Sequence, residues 1–203
     1  GLAAMIAVGC GGSDVAVNPV TPLTNVRGVH AASPDTGAID LFVNQTRVVA
    51  GGVFGQASTF VTPPAGDVRV QVTAANTVTP VLIDALQTFQ AGLRYTVLAV
   101  GRSTTDPRTL TQVTVVENTS PPTTGNAKIR VIHGNGGAGA WDFFIVPTGT
   151  AFTTPTFEDV PFAGQAPGVG QPASEFAAGN YDILITPANT PGTTLFRNTS
   201  VTI

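Results

Sequence analysis

The chain repeats itself, and the repeat limits what it can fold into more than any other feature. Val26-Arg27-Gly28-Val29-His30 returns as Ile129-Arg130-Val131-Ile132-His133, and Ile39-Asp40-Leu41-Phe42-Val43 returns as Trp141-Asp142-Phe143-Phe144-Ile145. Phe54-Gly55-Gln56 has a counterpart in Phe162-Ala163-Gly164-Gln165. The stretch AGDVRVQVT from Ala65 to Thr73 returns as AGNYDILIT from Ala178 to Thr186. Matched blocks in one order are the signature of a duplicated structural unit. The spacing widens late in the second copy because of a Gly/Pro-rich insertion, Pro161 to Pro172.

The blocks alternate. In Val68-Arg69-Val70-Gln71-Val72-Thr73 the valines fall on one side of an extended chain and the polar residues on the other, because successive side chains of a strand point to opposite faces. Further strands are expected at Val81–Phe89, Tyr95–Gly101 and Leu110–Glu117. Thr and Val are stiff at χ1 and favour extended backbone, while 23 Gly and 16 Pro break it into turns. No stretch carries helical apolar spacing. The expected class is all-β, as two tandem Ig-like, antiparallel β-sandwich modules of roughly 90 to 100 residues each. Residues 1–25 form an N-terminal segment, 26–117 the first module, 118–127 a linker and 128–203 the second module. The linker contains NTSPPTTGN, whose prolines favour an extended spacer. The second copy has no counterpart of residues 90–117, so it is expected to lack its last strands. A sandwich without them exposes unpaired backbone, which invites completion by another segment.

The single cysteine excludes an internal disulfide. It ends an apolar run of small residues, LAAMIAVG from Leu2 to Gly9, and Gly11, Gly12 and Ser13 follow it. This is similar to the tail of a bacterial lipoprotein signal peptide, with Ala7 where leucine is usual. The similarity implies cleavage before Cys10, lipidation of its sulfur and an outer-membrane anchor. The other reading of the run is a strand, either buried in this chain or donated to a neighbour. It is too short for a transmembrane helix.

The stretch VRGVHAASPDTGAIDLFVN, Val26 to Asn44, resembles the repeated VHASPDAPAVDVYVNG signature of the bacterial and archaeal envelope family called domain of unknown function 4397. The resemblance continues through FGQAS at Phe54 to Ser58, the strand at Pro64 to Thr73 and the Tyr95-Thr96-Val97 strand, then restarts at Lys128. It implies tandem domains on the cell surface with no established activity. The second copy departs from it, reading HGNGGAGAWD for HASPDTGAID, and so lacks counterparts of Ser33, Pro34 and Asp35.

His30 and His133 are the only histidines and occupy matching positions. With Asp35 or Asp40, His30 could form a metal or acid–base set. The structural alternative is a strand-end histidine that hydrogen-bonds the following turn, with Asp35 capping that turn. Repetition favours the structural role, because a small chain rarely needs one catalytic site twice. The repeat-signature residues His30, Asp35, Asp40, His133 and Asp142 are therefore read as structural. The two aspartates are expected to bind loop backbone or to pair with Arg27 and Arg130.

Signals for a catalytic residue, a cofactor or a metal are missing. No nucleophile elbow, phosphate loop or calcium loop occurs. The glycines from Gly134 to Gly139 follow a histidine and lead into a strand, so they read as a hairpin loop. Net charge is −3 and only 10% of residues are charged, without the basic face that nucleic acid requires. We therefore expect a non-enzymatic, secreted or surface-anchored lipoprotein acting as an interaction or scaffold protein. Its partners are the outer membrane, through a lipid anchor, or neighbouring protomers, with a protein or glycan ligand. One alternative is a filament subunit assembled by strand donation. Another is a carbohydrate-binding module using Trp141 and Tyr181.

Overall fold

The computed structural model describes residues 21–102 and 109–203. The described chain is all-β, with strands connected by turns and one short 3-10 turn, Pro34–Thr36. Seven strands build the first half: β1 (Asn25–Ala32), β2 (Ile39–Val43), β3 (Thr46–Gly52), β4 (Gly66–Ala74), β5 (Val81–Phe89), β6 (Arg94–Gly101) and β7 (Thr111–Val116). They form two sheets, ordered β3-β2-β4-β5 and β1-β6-β7. The valines of β4 do what their alternation demands. Val68, Val70 and Val72 are buried beside Ile39, Leu41 and Val43 of β2, facing Val26, Tyr95, Val97 and Ala99 of the other sheet. Burying such a side chain contributes about 1.5–3 kcal/mol, so these pairs of facing residues hold the two layers together.

One pairing departs from the antiparallel expectation. β1 and β6 run parallel, in register from Asn25 opposite Arg94 to Ala32 opposite Gly101. The whole of β2 to β5 forms the crossover between them, and a parallel pair needs such a connection. β6 is also buried along nearly its whole length. Its odd residues Tyr95, Val97 and Ala99 face the first core. Leu98 and Val100 join Val113 and Val115 of β7 in a second cluster on the opposite face, against Ile132, Phe162 and Ala163.

The second half contains β8 (Asn126–Ile129), β9 (Val131–Ile132), β10 (Trp141–Pro147), β11 (Phe157–Val160), β12 (Gln165–Ala166), β13 (Ser174–Ala177), β14 (Asn180–Pro187) and β15 (Phe196–Thr202). One four-stranded sheet runs β11-β10-β14-β15, and two short ladders pair β12 with β9 and β13 with β8. The β10–β14 register sets Asp142 opposite Thr186, as the β2–β4 register sets Asp40 opposite Thr73.

β8 and β9 use one edge only. The Gly125 carbonyl accepts from Ala178, and His133 exchanges backbone bonds with Ala163 and Gly164, all on the β12–β13 side. Backbone groups alternate along a strand. Lys128, Arg130 and Ile132 therefore turn theirs to the other edge, where no strand pairs among the described residues. At its far end the Gly134 carbonyl accepts from Gly101 of β6.

The strands expected at Val81–Phe89, Tyr95–Gly101 and Leu110–Glu117 are present, each within a residue at either end. Four strands lay outside the sequence reading: β3, β11, β13 and β15. β3 follows β2 through Asn44 and Gln45, both at positive φ, which gives a tight two-residue hairpin. β15 is almost entirely exposed and carries no alternating pattern.

Candidate functional site

The inward face of β1 carries His30, which is completely buried. Its Nε2 lies 2.9 Å from the Gly37 carbonyl, and its Nδ1 accepts from the Ala32 N–H at 3.3 Å. A carbonyl can only accept, so the ring is neutral and carries its proton on Nε2. Both nitrogens are spent on tying the strand end to the turn that follows. His133 repeats the arrangement, with Nε2 donating to the Gly139 carbonyl at 2.8 Å and Nδ1 accepting from Asn135 N–H at 3.2 Å. Burial pushes the His133 pKa down and outweighs the opposing effect of the Gly139 bond. The His133 ring also stacks on Trp141, centroid to centroid 3.8 Å.

The aspartates form a second matched pair. Asp40 Oδ1 accepts from Gly51 N–H at 2.7 Å, and Oδ2 accepts from Asn76 N–H at 3.0 Å and from Arg47 at 3.2 Å. Burial raises the Asp40 pKa, but the two backbone donors and the Arg47 guanidinium together hold it below the usual carboxylate value. Asp142 accepts from Asp159 N–H at 2.8 Å and Asn189 N–H at 3.0 Å. Each carboxylate thus fastens its strand to the neighbouring edge strand, at Gly51 of β3 or Asp159 of β11, and to the turn that holds Asn76 or Asn189. Asn76 and Asn189 both sit at positive φ, the left-handed region that asparagine enters more readily than most residues.

The expected Arg27–Asp40 and Arg130–Asp142 pairs do not form. Asp40 alternates with the inward Ile39 and Leu41, so it leaves the outer side of its sheet, while Arg27 leaves the outer side of the other. The thickness of two stacked sheets, about 10 Å, lies between them. Arg27 instead bonds Thr96 at 2.8 Å and Glu117 at 2.7 Å. Arg130 bonds Gln165 and the carbonyls of Pro167, Gly168 and Gln171 in the insertion. The loop-backbone alternative for the aspartates is the one these contacts follow.

The sequence reading missed Asn76 and Asn189 as anchoring partners. A signal was present: Thr73-Ala74-Ala75-Asn76-Thr77 and Thr186-Pro187-Ala188-Asn189-Thr190 extend the fourth matched block. Asp35 lies in the 3-10 turn Pro34–Thr36. Cys10 lies outside the described residues. Trp141 spends a ring face on His133, and Tyr181 is buried against Phe176 with its hydroxyl donating to the Ala177 carbonyl. The Gly134–Gly139 stretch is a loop, with Asn135 Oδ1 accepting from Gly137 N–H.

Among the described residues no three His, Cys, Asp or Glu side chains gather as a metal site, and no helix is long and apolar enough to cross a membrane. A cleft of about 430 Å³ lies between the halves, bordered by Ser33, Phe54, Val100, Arg102 and Asn135. Arg102 donates to Asn135 Oδ1 across it.

The fold and these anchors define an all-β protein whose buried histidines and carboxylates are occupied with its own backbone. The chain belongs to the family described as Domain of unknown function (DUF4397), which matches residues 24–144. That span reaches from β1 through the second histidine and aspartate into β10. No curated protein matches the chain.

Proposed function

We infer that this chain is a non-enzymatic scaffold or interaction protein of the cell envelope or exterior, built from two copies of one β-sandwich module. The observation that carries this reading is the recurrence of the anchors. His30 and His133, and likewise Asp40 and Asp142, make the same bonds to matching turns and loops. A neutral histidine with both ring nitrogens bonded to backbone has no proton or lone pair left for a substrate, and each carboxylate is buried with a backbone N–H on both of its oxygens. The sparse charge and the family membership support an extracytoplasmic location. Fractionation and protease shaving of the producing cells test it. Surface-accessible protein is expected, and a protease-protected cytosolic pool would refute it.

Two attachments suit such a scaffold, and they use the N-terminus in exclusive ways. Lipidation of Cys10 discards the residues before it, whereas strand donation retains them. The unpaired edge of β8 and β9 favours neighbouring protomers. Mass spectrometry of the mature N-terminus separates the two.

A further inference from the structure

A sheet edge exposes a row of backbone donors and acceptors, and folds usually blunt it with a bulge, a lysine or a proline. The two four-stranded sheets end in β3, β5, β11 and β15. Three of these edges are blunted. The ladders of β3, β11 and β15 each shift register, and Gly51, Asp159 and Ser200 within them sit at positive φ. β5 is different. It pairs with β4 without a shift from Gly66 opposite Phe89 to Val72 opposite Ile83, and it holds no lysine, proline or residue at positive φ. Leu86, near its middle, is 71% exposed. No strand pairs with its outer edge among the described residues.

Which groups reach that edge follows from β4. The Asn44 N–H donates to the Arg69 carbonyl and the Ala75 N–H to the Ala38 carbonyl, so odd-numbered residues from Arg69 to Ala75 turn their backbone toward β2. Val68, Val70 and Val72 therefore bond β5, through Gln87, Ala85 and Ile83. Asp84, Leu86 and Thr88 are left with N–H and C=O directed outward. Their side chains stand on the outer sheet face, because Ile83 and Phe89 face the core. The only charge on the strand, Asp84, is already neutralised: Arg69 Nε donates to it at 2.7 Å, and Gln71 adds a longer bond at 3.4 Å.

We propose that β5 pairs with β5 of a second copy of this chain, antiparallel across a two-fold axis at Leu86. Complementarity along the edge selects this occupant and this register. Centred on Leu86, the pairing sets Leu86 against the partner's Leu86 and Asp84 against the partner's Thr88. An apolar pair is then flanked by carboxylate–hydroxyl pairs. A shift to Asp84 would set two carboxylates face to face, and a shift to Ala85 would set each carboxylate against a leucine. The residues opposed in this way are those with outward backbone groups, as hydrogen-bonded antiparallel pairs require. On the inner face Ile83 meets the partner's Phe89, and in each copy both residues belong to the buried core. The two four-stranded sheets become one. The same patch serves both copies, so the assembly closes as a dimer. This contact uses neither the N-terminal segment nor the β8–β9 edge, and it goes beyond the scaffold reading without depending on it.

The test uses the full chain, unchanged and with Leu86→Lys or Leu86→Glu. Sedimentation equilibrium of the unchanged protein should give twice the monomer mass. Each charge variant should give the monomer, because two like charges then meet on the axis. Leu86 is exposed, so circular dichroism should show full strand content in both variants. An equimolar mixture of the two should regain dimers, since opposite charges then meet. Register is read by disulfides in a Cys10→Ser background. Leu86→Cys should oxidise to a covalent dimer, because directly opposed residues lie about 5.5 Å apart between Cα atoms. Thr88→Cys should not, because its copy in the partner lies four residues along the strand, about 13 Å away. An unchanged protein that stays monomeric means that the edge serves a strand of another protein or none, and overturns the proposal. A Leu86→Lys variant that still dimerises, a mixture of charge variants that stays monomeric, or equal linkage at the two cysteine positions overturns it as well.

Discussion

Replacing Asp40 by Asn probes the most heavily used buried group in the first half. The carboxylate takes Gly51 N–H at 2.7 Å on one oxygen, and Asn76 N–H at 3.0 Å with Arg47 on the other. An amide keeps one acceptor and turns an NH2 toward the second set of donors. One buried N–H then loses its partner, at about 1–3 kcal/mol, and the bond that survives loses its charge assistance. The Arg47 ion pair adds little, because its side chain is 47% exposed. The expected destabilisation is about 2–4 kcal/mol, a large fraction of the total stability of a typical domain. Urea denaturation measures it, with two probes that report on different places. Far-UV circular dichroism follows all the strands, whereas selectively excited tryptophan fluorescence follows Trp141, the sole tryptophan, in the second half. Asp40→Asn should lower the circular dichroism midpoint more than the fluorescence midpoint, and Asp142→Asn should do the reverse. A loss below about 0.5 kcal/mol for Asp40→Asn, the range of an ordinary surface change, would refute the view that these carboxylates pin the loops.

Other perturbations test different levels of the architecture. His133 has a lowered pKa, so the unfolded chain binds its proton first; stability should fall as pH drops below 6.5 toward the folded value. His133→Gln should remove that step from a pH series of thermal melts. Asp40 and Asp182 have lowered pKa values, Asp182 chiefly through the Ser200 N–H. Their contribution is complete above 3.8 and lost as pH falls through their folded values, giving a second acid step. Leu41→Ala should cost about 2–5 kcal/mol in urea titrations, because its site is enclosed by both sheets and cannot collapse freely. Gly101→Ala should also destabilise, since φ there is +95° and a Cβ would collide with the Thr109 carbonyl oxygen; a neutral thermal melt would contradict that contact.

Period and repetition made part of this fold legible from residues alone. β2 and β4 alternate because one face of their sheet is buried, and the alternation gave their extent. β15 was not legible, since Phe196–Thr202 is solvated on both faces and nothing selects a period. β3 needed its turn chemistry to be read at Asn44 and Gln45, neither of which is glycine. The parallel β1–β6 pairing joins segments about 69 residues apart, and no local pattern encodes that choice. The anchoring residues were found because they recur. Their partners were partly missed, because a backbone N–H has no residue-type signature and an arginine in the same copy looked like the natural counterion. Pleat direction decided against Arg27 and Arg130, while Arg47 of the adjacent strand β3 does reach Asp40, and pleat is a property of paired sheets rather than of composition.

A strand with two buried faces has no spare side. Each residue of β6 answers to one of two neighbours, Val97 to the first and Leu98 to the second, so neither parity can drift toward polarity without loosening a wall.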